Sequence, residues 1–216
     1  MSAERGGPGH ARRRWCAALL AGPVVLLAPR LARAGAQKEE PLIDSVRSAL
    51  SAAIANSAPP RPAFGTVEER LVYLRWLGEM STRLKRRTVD HRTRVEFLET
   101  LWYESTRAGL EPALVLGLVQ VESGFRKYAI SIAGARGYMQ VMPFWARLIG
   151  DGDATQLFHM QTNLRFGCVI LRHYLDIERG DLYLALGRYN GSRGRPEYPN
   201  AVFGARKAWE YRSAPA

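Results

Sequence analysis

Glu122 closes the most apolar helix that the sequence predicts, a run that reads ALVLGLVQV from 113 to 121. The carboxylate lies one turn beyond Leu118 and two turns beyond Val115, on the same helix face. Apolar surroundings disfavour its charged form, and so does the negative end of the helix dipole. A carboxylic acid that stays protonated near neutrality can hand a proton to a leaving oxygen, as glycoside cleavage requires. A carboxylate that merely surfaces where its helix ends would read the same way. From this helix alone that second reading is the stronger.

The elements around Glu122 all read as helical. Leu42, Val46, Leu50 and Ile54 recur at four-residue spacing and predict a short amphipathic helix. A Pro-rich break, NSAPPRPAFG at 56–65, is the candidate linker. Thr66 and Glu69 form a capping box, with Val67, Leu71, Leu74 and Leu77 as the apolar face of the helix that follows. A third helix spans about 92–108, with Phe97, Leu98, Leu101, Trp102 and Ser105 inward and Gly109 as its stop. Pro112 opens the Glu122 helix at a first-turn position, where its missing N–H is no loss.

Residues 124–137 contain three glycines and no clear period, which predicts a shaped loop. Helical spacing returns at 163–177, with Leu164, Cys168, Leu171 and Leu175 inward. Asp181 caps a last helix through Tyr189, Asn190-Gly191 ends it, and 192–199 reads as turns. The expectation is an all-α protein without a strand-rich region.

Four blocks reverse the preference at Glu122: VESGF at 121–125, SIAGARGYMQVMP at 131–143, NLRFG at 163–167 and GRYNG at 187–191. In this order and spacing they resemble the soluble lytic transglycosylases, whose catalytic domain is like goose-type lysozyme. One block alone is weak; four in sequence are a strong signal. The resemblance implies a lysozyme-like helical catalytic domain over 110–212, with an N-terminal helical extension made of 35–65 and 66–109.

The resemblance also implies roles. Glu122 matches the single catalytic acid and base. Ser123 supports the helix end. Ser131, Gln140, Met142, Tyr189 and Asn190 match substrate-binding positions: Ser131 near the acid, Gln140 and Met142 along the glycan cleft, and the Tyr189-Asn190 pair closing the site with the tyrosine hydroxyl near Glu122. Gly134 and Gly137 match glycines where the loop must bend or approach a sugar. Asn163 reads as structural, an N-cap, and Gly167 as a point of close helix packing. The chain departs from the family at Tyr138 (usually Leu), Phe144-Trp145 (a small pair) and Arg188 (Ala), which bears on the shape of the sugar subsites.

Most glycosidases use two carboxylates ~5–9.5 Å apart. The matched blocks supply only Glu122, while Asp151 and Asp153 look like a turn and an N-cap. A single carboxyl fits the implied reaction, cleavage between N-acetylmuramic acid and N-acetylglucosamine by the sugar's own 6-hydroxyl, which leaves a 1,6-anhydro end. No cofactor is needed. The nearest rival is a muramidase that admits water, for which a second carboxylate across the cleft would be the sign. A non-catalytic glycan-binding protein is a rival from another class, against which the joint presence of Ser131, Gln140 and Tyr189 speaks.

Composition bounds the partners. The 216 residues carry a formal charge of +11. Residues 1–34 hold six Arg and one Glu, five of those charges, so the chain from Gly35 keeps +6. That favours an anionic partner such as peptidoglycan with its stem-peptide carboxylates. No motif supports nucleic acid. Arg12, Arg13 and Arg14, an apolar stretch from Trp15 to Ala28 and Ala32-Arg33-Ala34 read as a signal peptide over 1–34, with a second candidate cut after Ala36. The expected product is a periplasmic monomer that meets a membrane only through its export signal. Once the signal is cut, Cys168 stands alone and can form no internal disulfide, and no Cys/His cluster has metal-ligand spacing.

Overall fold

Helix follows helix through the described residues because each apolar stripe needs a partner, and the helices Val67–Leu84, His91–Arg107 and Leu182–Tyr189 each start on a side-chain cap. A computed structural model describes residues 37–55 and 62–212. The expected signal peptide over 1–34 and most of the Pro-rich linker lie outside the described residues. The helices are α1 (Asp44–Ala55), α2 (Val67–Leu84), α3 (His91–Arg107), α4 (Pro112–Glu122), α5 (Pro143–Ile149), α6 (Met160–Ile177), α7 (Leu182–Tyr189) and α8 (Glu197–Lys207), with a 3₁₀ turn at Ala154–Phe158. The described residues form no strand, only the isolated bridges Ile130–Arg136 and Arg136–Val141. The all-α expectation holds.

The caps follow the sequence. Thr66 accepts the Glu69 N–H at 3.1 Å, and Glu69 accepts the Gly65 N–H at 2.8 Å. Asp90 starts α3 by accepting the Thr93 N–H at 2.7 Å, and Asp181 starts α7 from Leu184 at 3.0 Å. Gly109 ends α3 with φ +65. Asp153 caps the 3₁₀ turn through the Thr155 N–H, and Asp151 accepts from Asp153 N.

Four local readings need correction. The buried face of α2 is Tyr73, Trp76, Met80 and Leu84, while Val67, Leu71 and Leu74 stay exposed. The aromatic rings decide this. Tyr73 and Trp76 pack with Trp102 of α3 at 5.1 and 4.5 Å between ring centres, and Phe64 joins Tyr73 at 5.0 Å. Large rings bury more apolar area than the Val and Leu stripe could. Second, α6 begins at Met160 with His159 before it, so Asn163 is not a cap but lies inside the first turn. Third, Gly167 meets the Met139 side chain of the loop rather than another helix; a Cβ there would stand 2.3 Å from Met139 Sδ.

Fourth, Tyr189 does not end the last helix. α8 follows, starting where the sequence reads as turns. Pro199 obscures it, yet sits in the first turn, where a backbone N–H has no intrahelical acceptor anyway.

α4 lies at the centre, with residues 113–119 all buried. It packs on α3 and most extensively on α8. Gly117 permits this, because a Cβ there would come within 2.7 Å of the Arg206 backbone nitrogen. Trp209 donates to Gln120 Oε1 at 2.9 Å and stacks edge-on with Phe125 at 5.3 Å. Arg83 of α2 donates to the Ala208 and Glu210 carbonyls beyond the α8 terminus, the favourable end for a cation. The C-terminal end of α8 is thus fixed over α4.

Candidate active site

Glu122 is only 5 % exposed. Tyr198 of α8 donates its hydroxyl to Glu122 Oε1 at 2.5 Å. Burial, then the negative charge of Glu122, holds the Tyr198 phenol well above its ordinary pKa, so it remains a donor. Tyr189 is held up by the same two causes and donates to the Met139 carbonyl at 2.8 Å. Both tyrosines are fully buried.

The loop after α4 is bent by residues in the left-handed region: Gly124, Phe125, Gly134, Gly137 and Gln140. Ser123 donates to the Val119 carbonyl and, at 2.7 Å, to the Tyr138 carbonyl, so it joins the helix end to the loop. Asn163 fixes the loop from the other side. Its Nδ2 donates to the Arg136 and Leu157 carbonyls, and its Oδ1 accepts the Met139 N–H at 2.8 Å. A Cβ on Gly137 would collide with that amide at 2.3 Å.

The remaining sequence-derived residues fall into place as follows. Gln140 is buried and donates Nε2 to the Ala129 and Gly137 carbonyls, so its amide nitrogen is used within the loop. Ser131 accepts the Ala135 N–H at 3.1 Å and forms a turn there. Met142 is half-buried and immediately precedes α5. Asn190 is 6 % exposed; its Nδ2 donates to Ser192 Oγ, and its buried Oδ1 has no hydrogen-bond partner among the described residues. The structure therefore brings Glu122, Ser123, Met139, Tyr189 and Tyr198 into one linked group, while Ser131 bonds within its own turn.

Two of the family departures point inward. Tyr138 packs on Phe97 at 4.8 Å, and Trp145 on Tyr174 at 6.1 Å. Arg188 instead binds Glu178 at 2.8 Å and Glu40 at 2.8 and 2.9 Å.

Sequence reasoning missed Tyr198 and Gln37. Tyr198, Val202, Ala205 and Trp209 carry helical spacing that could have exposed α8. Gln37, 4 % exposed, accepts the Met142 N–H at 3.4 Å, and no local pattern announces a contact between residues so far apart. Among the described residues, no group of three or more His, Cys, Asp or Glu side chains is placed to hold a metal ion.

Comparison with known proteins decides the family. The transglycosylase SLT domain model matches residues 100–211. The chain belongs to that family. It is 34 % identical over 104 residues to the transglycosylase of Enterobacteria phage PRD1, across 48 % of this chain and 38 % of that protein. It is 36 % identical over 101 residues to membrane-bound lytic murein transglycosylase C of Actinobacillus pleuropneumoniae serotype 5b, across 43 % of this chain and 24 % of that one. The chain thus spans well under half the length of these curated relatives. The lytic transglycosylase Slt of Pseudomonas aeruginosa, solved as an inactive mutant, aligns with a TM-score of 0.43 and 24 % identity over 65 % of this chain and 27 % of Slt. No helix among the described residues is long and apolar enough to cross a membrane.

Proposed function

We propose that this SLT-family chain is a lytic murein transglycosylase, with Glu122 as its acid and base. The observation that carries the reading is the enclosed Glu122 carboxyl, held by the Tyr198 hydroxyl at the end of the apolar helix α4. The substrate is the glycan strand of peptidoglycan, cut between N-acetylmuramic acid and N-acetylglucosamine.

Glu122 protonates the glycosidic oxygen and the C1–O bond breaks, assisted by the muramic N-acetyl oxygen. The Glu122 carboxylate then takes the proton from the same sugar's 6-hydroxyl, O6 bonds to C1, and the acid is restored. An internal nucleophile has a high effective concentration, so no activated water is required. The reaction consumes no cofactor.

The surroundings support one carboxyl rather than two. Glu104, as buried as Glu122, is bound by Arg165. Asp151 and Asp153 serve the turn before the 3₁₀ segment, and Glu178 is bound by Arg188 and Arg193. Ser131, Gln140, Met142, Tyr189 and Asn190 are assigned to the glycan-binding surface, and Ser123 to support of the helix end. In this reading the domain over 110–212 is catalytic, 1–34 is a signal peptide, and the protein works as a periplasmic monomer.

Digestion of purified sacculi tests the reaction. Released muropeptides should end in 1,6-anhydro-N-acetylmuramic acid. Products heavier by one water, with reducing ends, would convert the assignment to a muramidase.

A further inference from the structure

A segment outside the matched domain reaches into the site. Residues 37–43 run as irregular chain before α1. Gln37 is buried against two residues assigned to glycan binding: its Oε1 accepts the Met142 N–H, and its carboxamide lies beside the Tyr189 hydroxyl, which in turn feels the charge of Glu122. Its buried Nε2 makes no well-formed hydrogen bond, and the Tyr189 hydroxyl is its polar neighbour. A long 3.4 Å bond and a poorly formed one hold a side chain weakly, so Gln37 is not held there by its own bonds alone.

The hold comes from three residues on. Glu40 receives two bonds from Arg188 Nη1, and Glu39 stands 3.7 Å from Arg147. Arg188 is the position where the family pattern usually has Ala. The departure therefore has a physical correlate: it fastens this segment next to Tyr189-Asn190. Glu122 is enclosed, and a glycan strand must reach it.

We propose that residues 37–40 form a strap across the Glu122 site, in which the Gln37 carboxamide stands where an amide of the substrate's acetamido groups would sit, and the Glu40–Arg188 pair sets how often the strap is down. The inference rests on the glycan-cleaving reading of the site. A carboxamide and an acetamido group present the same acceptor oxygen and N–H donor, so a 2-acetamido sugar can replace Gln37 at the Met142 N–H. A strap that must lift lowers apparent affinity by the fraction of time it is docked.

Glu40→Gln and Gln37→Ala test this in the exported protein. Glu40 is partly exposed and Arg188 keeps its bond to Glu178, so the substitution should not disturb folding. Near-surface ion pairs contribute up to about 1 kcal/mol, so this partly exposed one should shift a docking equilibrium by up to about fivefold. Glu40→Gln should speed amide hydrogen exchange over 37–42 and lower KM on sacculi by up to that factor, with kcat unchanged. Gln37→Ala should lower KM with less effect on exchange at Glu40. Saturating N-acetylglucosamine oligomer should speed exchange over 37–40 in the wild type.

KM that is unchanged or raised in both variants overturns the strap, since a fixed wall of the cleft would behave that way. So does exchange that the oligomer leaves unaltered. Reducing-end products from the wild type would overturn the reaction reading and leave the KM comparison to decide the strap. If sacculi are not cleaved, the exchange experiment decides it.

Discussion

Glu104 and Glu122 are buried to nearly the same degree, 2 % and 5 % exposed, in neighbouring helices of one core. Their partners differ in kind. Glu104 receives two bonds from the Arg165 guanidinium, at 3.1 and 2.9 Å, with Arg107 at 3.5 Å. Glu122 is bonded by a phenol held in its protonated form. A guanidinium brings a full positive charge to a carboxylate, whereas a phenol brings a neutral hydrogen-bond donor. Burial alone marks neither as functional; the chemistry of the partner separates a structural ion from a candidate acid.

Breaking the structural pair should have the largest effect on stability. Arg165→Met removes the closer partner of the buried Glu104 and leaves Arg107 at 3.5 Å, and removing one partner of a buried pair costs about 3–5 kcal/mol. Denaturant unfolding should show it. A stability unchanged within error would mean that the two carboxylates are not so different.

Gly117→Ala comes next. Its Cβ would press on the Arg206 backbone, and overpacking of this sort costs about 1–3 kcal/mol. The shift of α8 should displace Tyr198 as well. The expected result is a lower unfolding midpoint together with reduced turnover of sacculi, and full turnover would show that the placement of α8 does not matter to the acid.

Tyr198→Phe removes the bond to Glu122 and little volume. Hydrogen bonds to charged groups contribute about 1.5–3 kcal/mol, so turnover should fall roughly tenfold or more. Tyr189→Phe should do less, because that hydroxyl is bonded to the Met139 carbonyl. The reverse order would move the orienting role from α8 to α7.

The smallest effect is a pH dependence at Glu178. Bonds from Arg193 first, and then Arg188, hold Glu178 at about 2, below its ordinary 4.5. Because the folded value is depressed, the stabilisation is present above pH 4.5 and is lost as pH falls towards 2. The difference in thermal midpoint between wild type and Glu178→Gln should shrink across that window. A difference that persists at pH 2 would argue against the ion pairs.

The legible parts of the molecule were those written locally. The apolar run of α4, the Thr66 and Asp181 caps and the Gly109 stop each depend on neighbours a few residues away. Tyr198 escaped because Pro196 and Pro199 flank it and read as turn chemistry, although one ends up before the helix and the other in its first turn. The exposed face of α2 misled because Val and Leu spacing was weighed without the rings of Phe64 and Trp102, which come from other elements. Gln37 escaped for the same reason in stronger form, since its partners Met142 and Tyr189 lie more than a hundred residues on. Glu122 itself was picked out by the four blocks, and α4 alone would have left it a surface carboxylate.

Glu122→Gln is the most direct test, measured for turnover of sacculi and for thermal unfolding on the same preparation. The substitution keeps the shape and removes the acidic proton. Turnover should fall by ~10²–10⁴-fold, the usual loss for general acid–base catalysis, while the unfolding midpoint stays close to that of the wild type. Undiminished turnover would remove Glu122 from the mechanism, and a loss of activity matched by unfolding would make it a structural carboxylate like Glu104.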